Sequence, residues 1–267
     1  MKIATVLNIH SNPELVLDTI DSIFHYMTKD LLVIVDGASK EFKNVTLPAV
    51  TLEGFYHGCN KAPYRNVALG LKMLGESFPD ADWYCYIEYD CLVTSDRFKK
   101  NLRLADGMDV WMMGNDGHID DKGMPFISPL VGGKFESIYY LLGCCQFFSK
   151  KYMSKLREIH FFDRLLTLTN GFSNGFMPGY SGYDLSEHMY PTIARHFGGN
   201  IGVFATWERA KEKWHGSYEI FPMRFQPELD PVKENFPEAS IMHPLKSINH
   251  PIRVEHRLRR KDVARTV

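Results

Sequence analysis

Two acidic residues that close an apolar run are the first candidates for chemistry. The run is WYCYIEYDCLV, from Trp83 to Val93, and its buried-strand pattern ends on Glu88-Tyr89-Asp90. Two carboxylates at the end of a buried strand have two interpretations. They belong to a turn, or they bind a metal ion and a diphosphate, because hard cations take carboxylate oxygens as ligands. The other polar residues of the chain have to decide between these interpretations.

Polar side chains also end the two preceding apolar runs. Lys2 to Ile9 predicts a buried strand followed by His10, and the run LLVIVDG ends on Asp36. Ligands of an open parallel sheet bind at the carboxyl ends of its strands, so these residues and the two acids are expected in one crevice. Taken singly, Asp36-Gly37 is equally a turn and His10 equally a surface histidine. Three neighbouring polar strand ends favour a binding site.

A glycine-rich phosphate loop is missing from the sequence. Neither G-x-G-x-x-G after the first strand nor G-x-x-x-x-G-K-S/T occurs, which disfavours nicotinamide-dependent and P-loop enzymes. A bound diphosphate therefore needs another counter-charge. A divalent cation, Mn²⁺ or Mg²⁺, on Asp90 would supply that charge, and so would a Lys or Arg side chain.

The elements that must position these residues alternate between strand and helix. Ser11 or Asn12 is suited to cap a helix that has Pro13 in its first turn. A strand, a helix and a second wholly apolar strand are typical of a parallel sheet covered on both faces. The alternation continues through APYRNVALGLKML, SDRFKKNLRLA, DVWMMG, CCQFFS, KKYMSKLREIHFFDRLL and a helix from Asp184 to Phe197. We therefore predict a single α/β domain with a mostly parallel central sheet and helices on both faces.

The later part of the chain has a different composition. We assign residues 1–110 to a nucleotide-binding half and residues 111–267 to an acceptor-binding half. The glycine-, serine- and asparagine-rich stretch after Asn170 predicts a substrate-facing loop. The C-terminal region is predicted to be irregular, with a basic end, RVEHRLRRKDVAR. That end is either a solvated tail or a segment attracted to anionic lipid or to a polyprenyl-diphosphate acceptor.

Composition and charge exclude several classes of protein. The 267 residues carry a net charge of −1, which indicates no affinity for nucleic acid. The five cysteines form no CxxC pair and predict reduced, mostly buried thiols rather than structural zinc. Neither a signal peptide nor an apolar run long enough to span a membrane is present in the sequence. We expect a cytoplasmic protein, with peripheral contact to the inner face of the membrane through the basic end as the open alternative.

These motifs resemble those of glycosyltransferases with the GT-A fold, a Rossmann-like sheet. ATVLNIHSN and LLVIVDGAS resemble the paired nucleotide-binding strands of that class, and APYRNVALG is similar to the A-x-x-R-N-x-A-L helix of its large inverting family-2 type members. YIEYDCLV stands where that family carries D-x-D. The sequence departs from the family here because its first acid is Glu88.

A second resemblance is to the core-2/I-branching enzymes and peptide xylosyltransferases. Their motif is roughly D-E-H-x-W-x-T-I-x-R, and LSEHMYPTIARHFG is similar to it from Glu187 to Arg195. In that family the Glu is the general base, which implies this role for Glu187, with Asp184 as the alternative. A late Lys of that family touches the diphosphate, and IMHPLK offers Lys246.

The two resemblances imply different treatments of the diphosphate. The first implies a divalent cation on Glu88 and Asp90, with His243 as a C-terminal ligand. The second implies basic side chains in place of metal, in particular Lys246. His243 is equally interpreted as a solvated loop histidine, and Glu187 and Asp184 as first-turn acids that complement a helix dipole.

Further donor contacts follow from the same resemblances. His10 and Asp36 are expected at the nucleotide base and ribose. Arg65 is expected at the base or a phosphate, with a surface arginine as the alternative.

The function implied is inverting transfer of a sugar from a nucleotide-sugar donor to a hydroxyl of a glycan or polyprenyl-linked acceptor, in polysaccharide biosynthesis. Two rival functions stay open. One is a nucleotidyltransferase acting on a sugar phosphate, although NIHSNPELV lacks its usual glycine-rich loop. The other is a catalytically decayed protein that binds a glycan or nucleotide, which the E-x-D in place of D-x-D favours.

Overall fold

A computed structural model describes residues 1–55, 64–104, 108–112, 117–118, 124–140, 144–170, 185–203, 223–225 and 240–265. The strands are β1 Ile3–Ile9, β2 Leu31–Val35, β3 Val50–Glu53, β4 Trp83–Glu88, β5 Leu92–Val93, β6 Met108–Met112, β7 Gly117–His118, β8 Tyr139–Tyr140, β9 Cys145–Ser149, β10 Asn200–Val203, β11 Met223–Phe225 and β12 Ile241–His243. The helices are α1 Pro13–Tyr26, α2 Tyr64–Ser77, α3 Phe98–Leu104, α4 Met124–Ile127, α5 Lys150–Glu158, α6 Phe161–Thr169, α7 Leu185–His196 and α8 Pro251–Arg265, with a 3₁₀ turn at Ser128–Val131.

The central sheet has seven strands in the order β10-β6-β9-β4-β1-β2-β3. Strand β9 is antiparallel to β4 and β6, and the other neighbouring strands are parallel. The predicted α/β fold with a mostly parallel sheet is therefore confirmed. The boundary at residue 110 between nucleotide and acceptor halves stays a prediction.

Each face of this sheet is covered, because alternate side chains of one strand enter different apolar cores. In β1, Ala4 and Val6 pack with side chains of α2, α5, α6 and α7. Ile3 and Leu7, on the other face, pack with α1 and α3. Buried parallel strands must be apolar on both faces, which explains the unbroken apolar runs in the sequence.

One predicted helix start is confirmed, and one predicted helix is divided in two. Asn12 caps α1, with its Oδ1 accepting a hydrogen bond from the Leu15 amide at 3.2 Å, and Pro13 opens the helix. The predicted helix that begins at Lys150 is instead two helices, α5 and α6. His160 lies between them in the left-handed region, with φ of 53°.

Helix α8 corrects the prediction of an irregular basic end. Arg253 is fully buried, and its Nη1 donates to Asp18 Oδ2 of α1 at 2.7 Å. Arg260 is 4% exposed and donates to Asp18 Oδ1 at 2.5 Å and to Asp21 at 2.6 Å. For both arginines the solvated-tail and lipid interpretations are wrong, because their charges pair inside the protein. Membrane contact through exposed Lys261 stays a prediction.

The cysteines and the helices agree with two further expectations. Cys85, Cys91, Cys144 and Cys145 are buried free thiols, as predicted. Cys59 lies outside the described residues. None of the described helices combines the length and apolar character needed to cross a bilayer.

Candidate functional site

The carboxyl ends of three neighbouring parallel strands bring the predicted polar residues to one edge of the sheet. Asn8 of β1 is the register partner of Glu88 in β4 and of Ile34 in β2. His10 follows β1 directly, and Asp36 follows β2. This arrangement agrees with the crevice expected from the polar strand ends.

A turn redirects the chain immediately after β4. The Cys91 amide donates to the Glu88 carbonyl at 3.1 Å, and β5 then leaves the central sheet. Strand β5 pairs antiparallel with β12, the strand that ends on His243. The Leu245 amide donates to the Asp90 carbonyl at 2.8 Å. The turn interpretation of the E-x-D therefore holds, and this turn lies against His243. Binding of a metal ion and a diphosphate by these acids stays a prediction.

His243 contacts both acids of the E-x-D. Its Nε2 lies 3.0 Å from Glu88 Oε2 and 3.2 Å from Asp90 Oδ1. The side chains of His243 and Asp90 are 12% and 6% exposed, whereas that of Glu88 is 38% exposed. His243 is therefore no solvated loop histidine. Asp90 and the imidazole thus form the buried part of the cluster, and Glu88 is its more exposed acid.

The ionisation of this group is set by competition between burial and charge. Burial lowers the pKa of His243, but the Cys144 and Cys91 sulfurs and the Asp90 carboxylate outweigh burial and raise that pKa well above its usual value. Burial raises the pKa of Asp90, but the His243 ring and then Lys246 outweigh it, so this pKa lies below its usual value. The imidazolium and the Asp90 carboxylate stabilise each other.

The ligand atoms around His243 suit a divalent cation. Asp90, Cys91 and His243 each offer one donor atom, and these atoms lie within 4.8 Å of one another. Among the residues that the structure describes, the buried Asp90 Oδ1 finds no well-aligned hydrogen bond. Because metal–ligand bonds are about 2.0–2.6 Å long, two ligand atoms of one ion are about 3–4 Å apart. The separations of His243 Nε2 from Glu88 Oε2 and Asp90 Oδ1, 3.0 and 3.2 Å, agree with that range. Sequence reasoning missed Cys91, although it directly follows Asp90.

His10 lies near several carboxylates. Its ring meets that of Tyr89 edge to face, with centroids 4.8 Å apart. Burial lowers the pKa of His10, and the charges of Asp36, Asp90, Glu88 and Glu41 oppose this shift without cancelling it. His10 is thus a partly buried, neutral imidazole beside the acids and not a surface histidine.

The amide of Asn8 marks the same edge as a ligand site. Its Oδ1 and Nδ2 are inaccessible to solvent and have no hydrogen-bond partner within the part of the chain that the structure describes. A buried amide in this state is uncommon and calls for a ligand or an ordered water. Asn8 lies beside Glu88 in the sheet register.

Asp36 and Arg65 are held by local contacts. Asp36 Oδ1 accepts a hydrogen bond from the Ala38 amide at 2.8 Å, so the turn interpretation of Asp36-Gly37 holds as well. Arg65 is 7% exposed and its guanidinium lies 3.9 Å from the Phe55 ring centroid. The surface interpretation of Arg65 is therefore wrong. Burial lowers the pKa of this arginine.

Helix α7 brings Glu187 towards the site from the α2 face of the sheet. Glu187 is 8% exposed, and its charge contributes to the raised pKa of Cys144, which burial mainly causes. Gln146 of β9 donates from Nε2 to the Ser186 carbonyl at 3.5 Å, which connects the first turn of α7 to the sheet. Asp184, the alternative base, lies outside the described residues.

Lys246 is exposed and directly follows Leu245, whose amide donates a hydrogen bond to the Asp90 carbonyl. Its positive charge reaches Asp90 and contributes to the lowered pKa of that acid. Lys246 thus lies at the exposed edge of the cluster of Glu88, Asp90 and His243. Its role on a diphosphate stays a prediction.

Comparisons with known proteins add little to this site. Neither a family model nor a curated protein matches the chain. Among solved structures the chain is similar to one described as a glycosyltransferase involved in the glycosylation of the major capsid of PBCV-1. The alignment covers 98% of this chain and 100% of that one at 12% identity, with a TM-score of 0.48.

Proposed function

We propose that the protein transfers a sugar from a nucleotide-sugar donor to a hydroxyl of a glycan or lipid-linked acceptor, with inversion at the anomeric carbon. The observation that carries the proposal is the contact of His243 with Glu88 and Asp90, at 3.0 and 3.2 Å, at the carboxyl edge of the sheet. A partly buried cluster of acids and a histidine at that edge is suited to an anionic donor and its counter-ion.

The donor is proposed to lie across the ends of β1, β2 and β4. Asn8 offers a donor and an acceptor that have no partner among the described residues, which suits a base or a ribose hydroxyl. His10 and Asp36 adjoin it and are proposed to complete the nucleoside contacts. Arg65 has limited exposure, so we propose that it supports this pocket and reaches the ligand only at its edge.

Glu88, Asp90 and His243 are proposed to hold a divalent cation, Mn²⁺ or Mg²⁺. The separations of their ligand atoms and the poorly satisfied Asp90 Oδ1 support this assignment. When bound, such an ion neutralises the negative charge of the diphosphate. Binding requires the proton on His243 Nε2 to leave, since a metal ligand must be the neutral imidazole.

Glu187 is proposed as the general base. It would accept the proton of the acceptor hydroxyl while the hydroxyl oxygen attacks the anomeric carbon and the bond to the diphosphate oxygen breaks. Lys246 is proposed to place its ammonium beside the departing diphosphate, where a fixed positive charge stabilises the transition state. If no ion binds, Lys246 and protonated His243 would supply positive charge next to Asp90.

The first experiment is thermal unfolding with UDP and GDP, each with and without Mn²⁺. A ligand that binds only the folded protein raises the midpoint temperature by mass action. A nucleotide shift that needs Mn²⁺ would support the cation site, and one that ignores Mn²⁺ would favour Lys246. The same titrations are made with Asp90→Asn, which removes one acid of the proposed cation site. Asp96→Asn is its control, because Asp96 is 68% exposed and lies 3.9 Å from its partner Lys99.

The same material tests catalysis. Release of free sugar from UDP- and GDP-sugars, followed by NMR of the anomeric proton, would detect turnover and reveal inversion or retention. No midpoint shift with either nucleotide and no release of sugar would overturn the proposed function. Binding without turnover would favour the decayed, binding-only alternative.

A further inference from the structure

We infer that Arg253 of α8 is a positioning residue for the donor site, so that the C-terminal helix is part of the machinery that holds the acids against His243. This inference rests on the proposed function. Arg253 is 0% exposed, and its guanidinium joins three separate segments of the chain.

Two of those segments belong to the site. Arg253 Nη2 donates to the Cys91 carbonyl at 2.9 Å, at the end of the turn that carries Asp90. Arg253 Nε donates to the Leu245 carbonyl at 2.9 Å, two residues after His243. One rigid, planar group therefore fixes the distance between the two strands that supply the ligand atoms.

The third segment anchors the guanidinium to α1. Arg253 Nη1 donates to Asp18 Oδ2 at 2.7 Å and to Thr19 Oγ1 at 3.3 Å. Thr19 Oγ1 in turn contacts the Tyr89 and Cys91 carbonyls at 2.6 and 2.9 Å. Arg253 and Thr19 thus hold the same turn from one side, and α1 is the fixed support for both.

Arg253 touches neither the ligand atoms of Asp90 nor those of His243. It acts through the backbone, because one guanidinium donates hydrogen bonds to the carbonyls of both Cys91 and Leu245. Metal sites depend on such supporting contacts, and their loss typically weakens metal binding about 10–100-fold. Lysine cannot replace the fork, because a single ammonium does not reproduce the planar set of donors.

Arg260 provides a matched control on the same helix. It is also nearly buried and also pairs with Asp18, but its described bonds go to Asp18 and Asp21 of α1 and to no carbonyl of the site. Arg253→Lys and Arg260→Lys both keep the positive charge. Only the first removes bonds to the Cys91 and Leu245 carbonyls.

The experiment measures Mn²⁺ affinity by electron paramagnetic resonance in the full chain, for the wild type and both variants. Fractions folded are first matched by adjusting temperature. We expect Arg253→Lys to weaken Mn²⁺ binding at least about tenfold and Arg260→Lys to change it less than about twofold. Equal effects of the two variants, or no effect of Arg253→Lys, would overturn the inference.

A second readout separates this inference from the proposed function. Hydrogen exchange at the Leu245 amide, which bonds to the Asp90 carbonyl at 2.8 Å, reports the contact between the two strands without any ligand. If the wild type binds no Mn²⁺, the cation site of the proposed function fails. Faster exchange at Leu245 in Arg253→Lys alone would still support the positioning role, and unchanged exchange would overturn it.

Thr19→Val covers the case in which Arg253→Lys does not fold. Valine keeps the shape of threonine but removes the hydroxyl that contacts the Tyr89 and Cys91 carbonyls. We expect weaker Mn²⁺ binding and faster Leu245 exchange in this variant as well. Wild-type values for both measurements in Thr19→Val would count against the positioning of this turn from α1.

Discussion

Nε2 of His243 lies 3.2 Å from Oδ1 of Asp90, although Asp90 lies in the turn after β4 of the central sheet and His243 ends β12 of a separate sheet. The turn that contains Asp90 leads from β4 out of the central sheet into β5. Strand β12 pairs with β5, and this pairing places His243 beside Asp90. The E-x-D motif alone is weak evidence of a site, but in the fold its two acids and His243 form a cluster of charged groups. The first variants should therefore test the charge of this cluster and its binding of a metal ion.

The first prediction concerns pH. The folded-state pKa of His243 is raised well above its usual value of 6.5. Its ion pair therefore contributes full stability below the unfolded pKa, and this contribution is lost as the pH rises through the folded pKa. We expect the midpoint temperature of the wild type to fall more than that of His243→Gln as the pH rises from neutral to alkaline. Thermal unfolding of both proteins across that range checks this.

The comparison between the two proteins is needed because other groups titrate nearby. Burial raises the pKa of Cys91 and of Cys144, and both thiols adjoin His243. Because His243 lowers the pKa of both thiols, the difference between the two curves reports His243 together with these thiols. Parallel curves for the two proteins over the whole range would show that the His243 ion pair is not lost within it and would contradict the prediction.

The second prediction concerns the cation. Asp90→Asn removes one of the negative charges beside His243 while keeping the size of the side chain. We expect Mn²⁺ affinity, measured by calorimetric titration, to fall at least about tenfold. The nucleotide-induced thermal shift should then lose its dependence on Mn²⁺. Asp96→Asn, on the exposed surface, should match the wild type. Retained affinity in Asp90→Asn would remove this acid from the site.

The third prediction concerns the general base. Glu187→Gln keeps the shape of the side chain but cannot accept a proton. Loss of general base catalysis should lower the rate of transfer by about 10²–10⁴ and leave nucleotide affinity unchanged. Steady-state rates with a donor and a panel of glycan acceptors, together with nucleotide titration, provide the measurement.

A matched control for this variant is Glu14→Gln. Glu14 is also an acid in the first turn of a helix, but on α1 and outside the acid cluster. Both variants weaken the interaction of an acid with a helix dipole, which is worth about 0.3–1 kcal/mol. Only Glu187→Gln should lose activity. Equal activity in both variants would reduce Glu187 to a first-turn acid.

The fourth prediction concerns the contact of α2 with the sheet. A Cβ on Gly70 would lie 2.5 Å from Val6 Cγ2 and 3.2 Å from Ile34 Cγ1, so Gly70→Ala should destabilise the protein by about 1–3 kcal/mol. Gly75, on the same helix, has room, since its Cβ would meet Arg157 Cδ at 3.5 Å. Gly75→Ala should be neutral or stabilising by up to about 1 kcal/mol.

Urea unfolding of the two alanine variants measures this difference directly. The intrinsic preference of alanine over glycine in a helix favours both substitutions equally. A different sign for the two variants therefore isolates the close approach of α2 to β1 and β2. If both variants are stabilised, α2 does not lie as close to the sheet at Gly70 as described.

Local sequence patterns predicted much of the α/β fold. The unbroken apolar runs of β1, β2 and β4 specify buried parallel strands, and Asn12 with Pro13 specifies the start of α1. Polar residues at the ends of those strands marked one edge of the sheet, because parallel neighbours end at the same edge. The sequence by itself thus determined the fold class, the main elements and the position of the acids.

Tertiary structure decided which distant residues complete the cluster. The pairing of β12 with β5, which brings His243 to Asp90, rests on contacts between segments remote in sequence, and short strands leave little local pattern. The basic end looked solvated or membrane-directed, yet Arg253 is buried because Asp18 and two backbone carbonyls satisfy it. A charge enters a protein interior only where partners exist, and those partners are set by the fold rather than by the neighbouring residues.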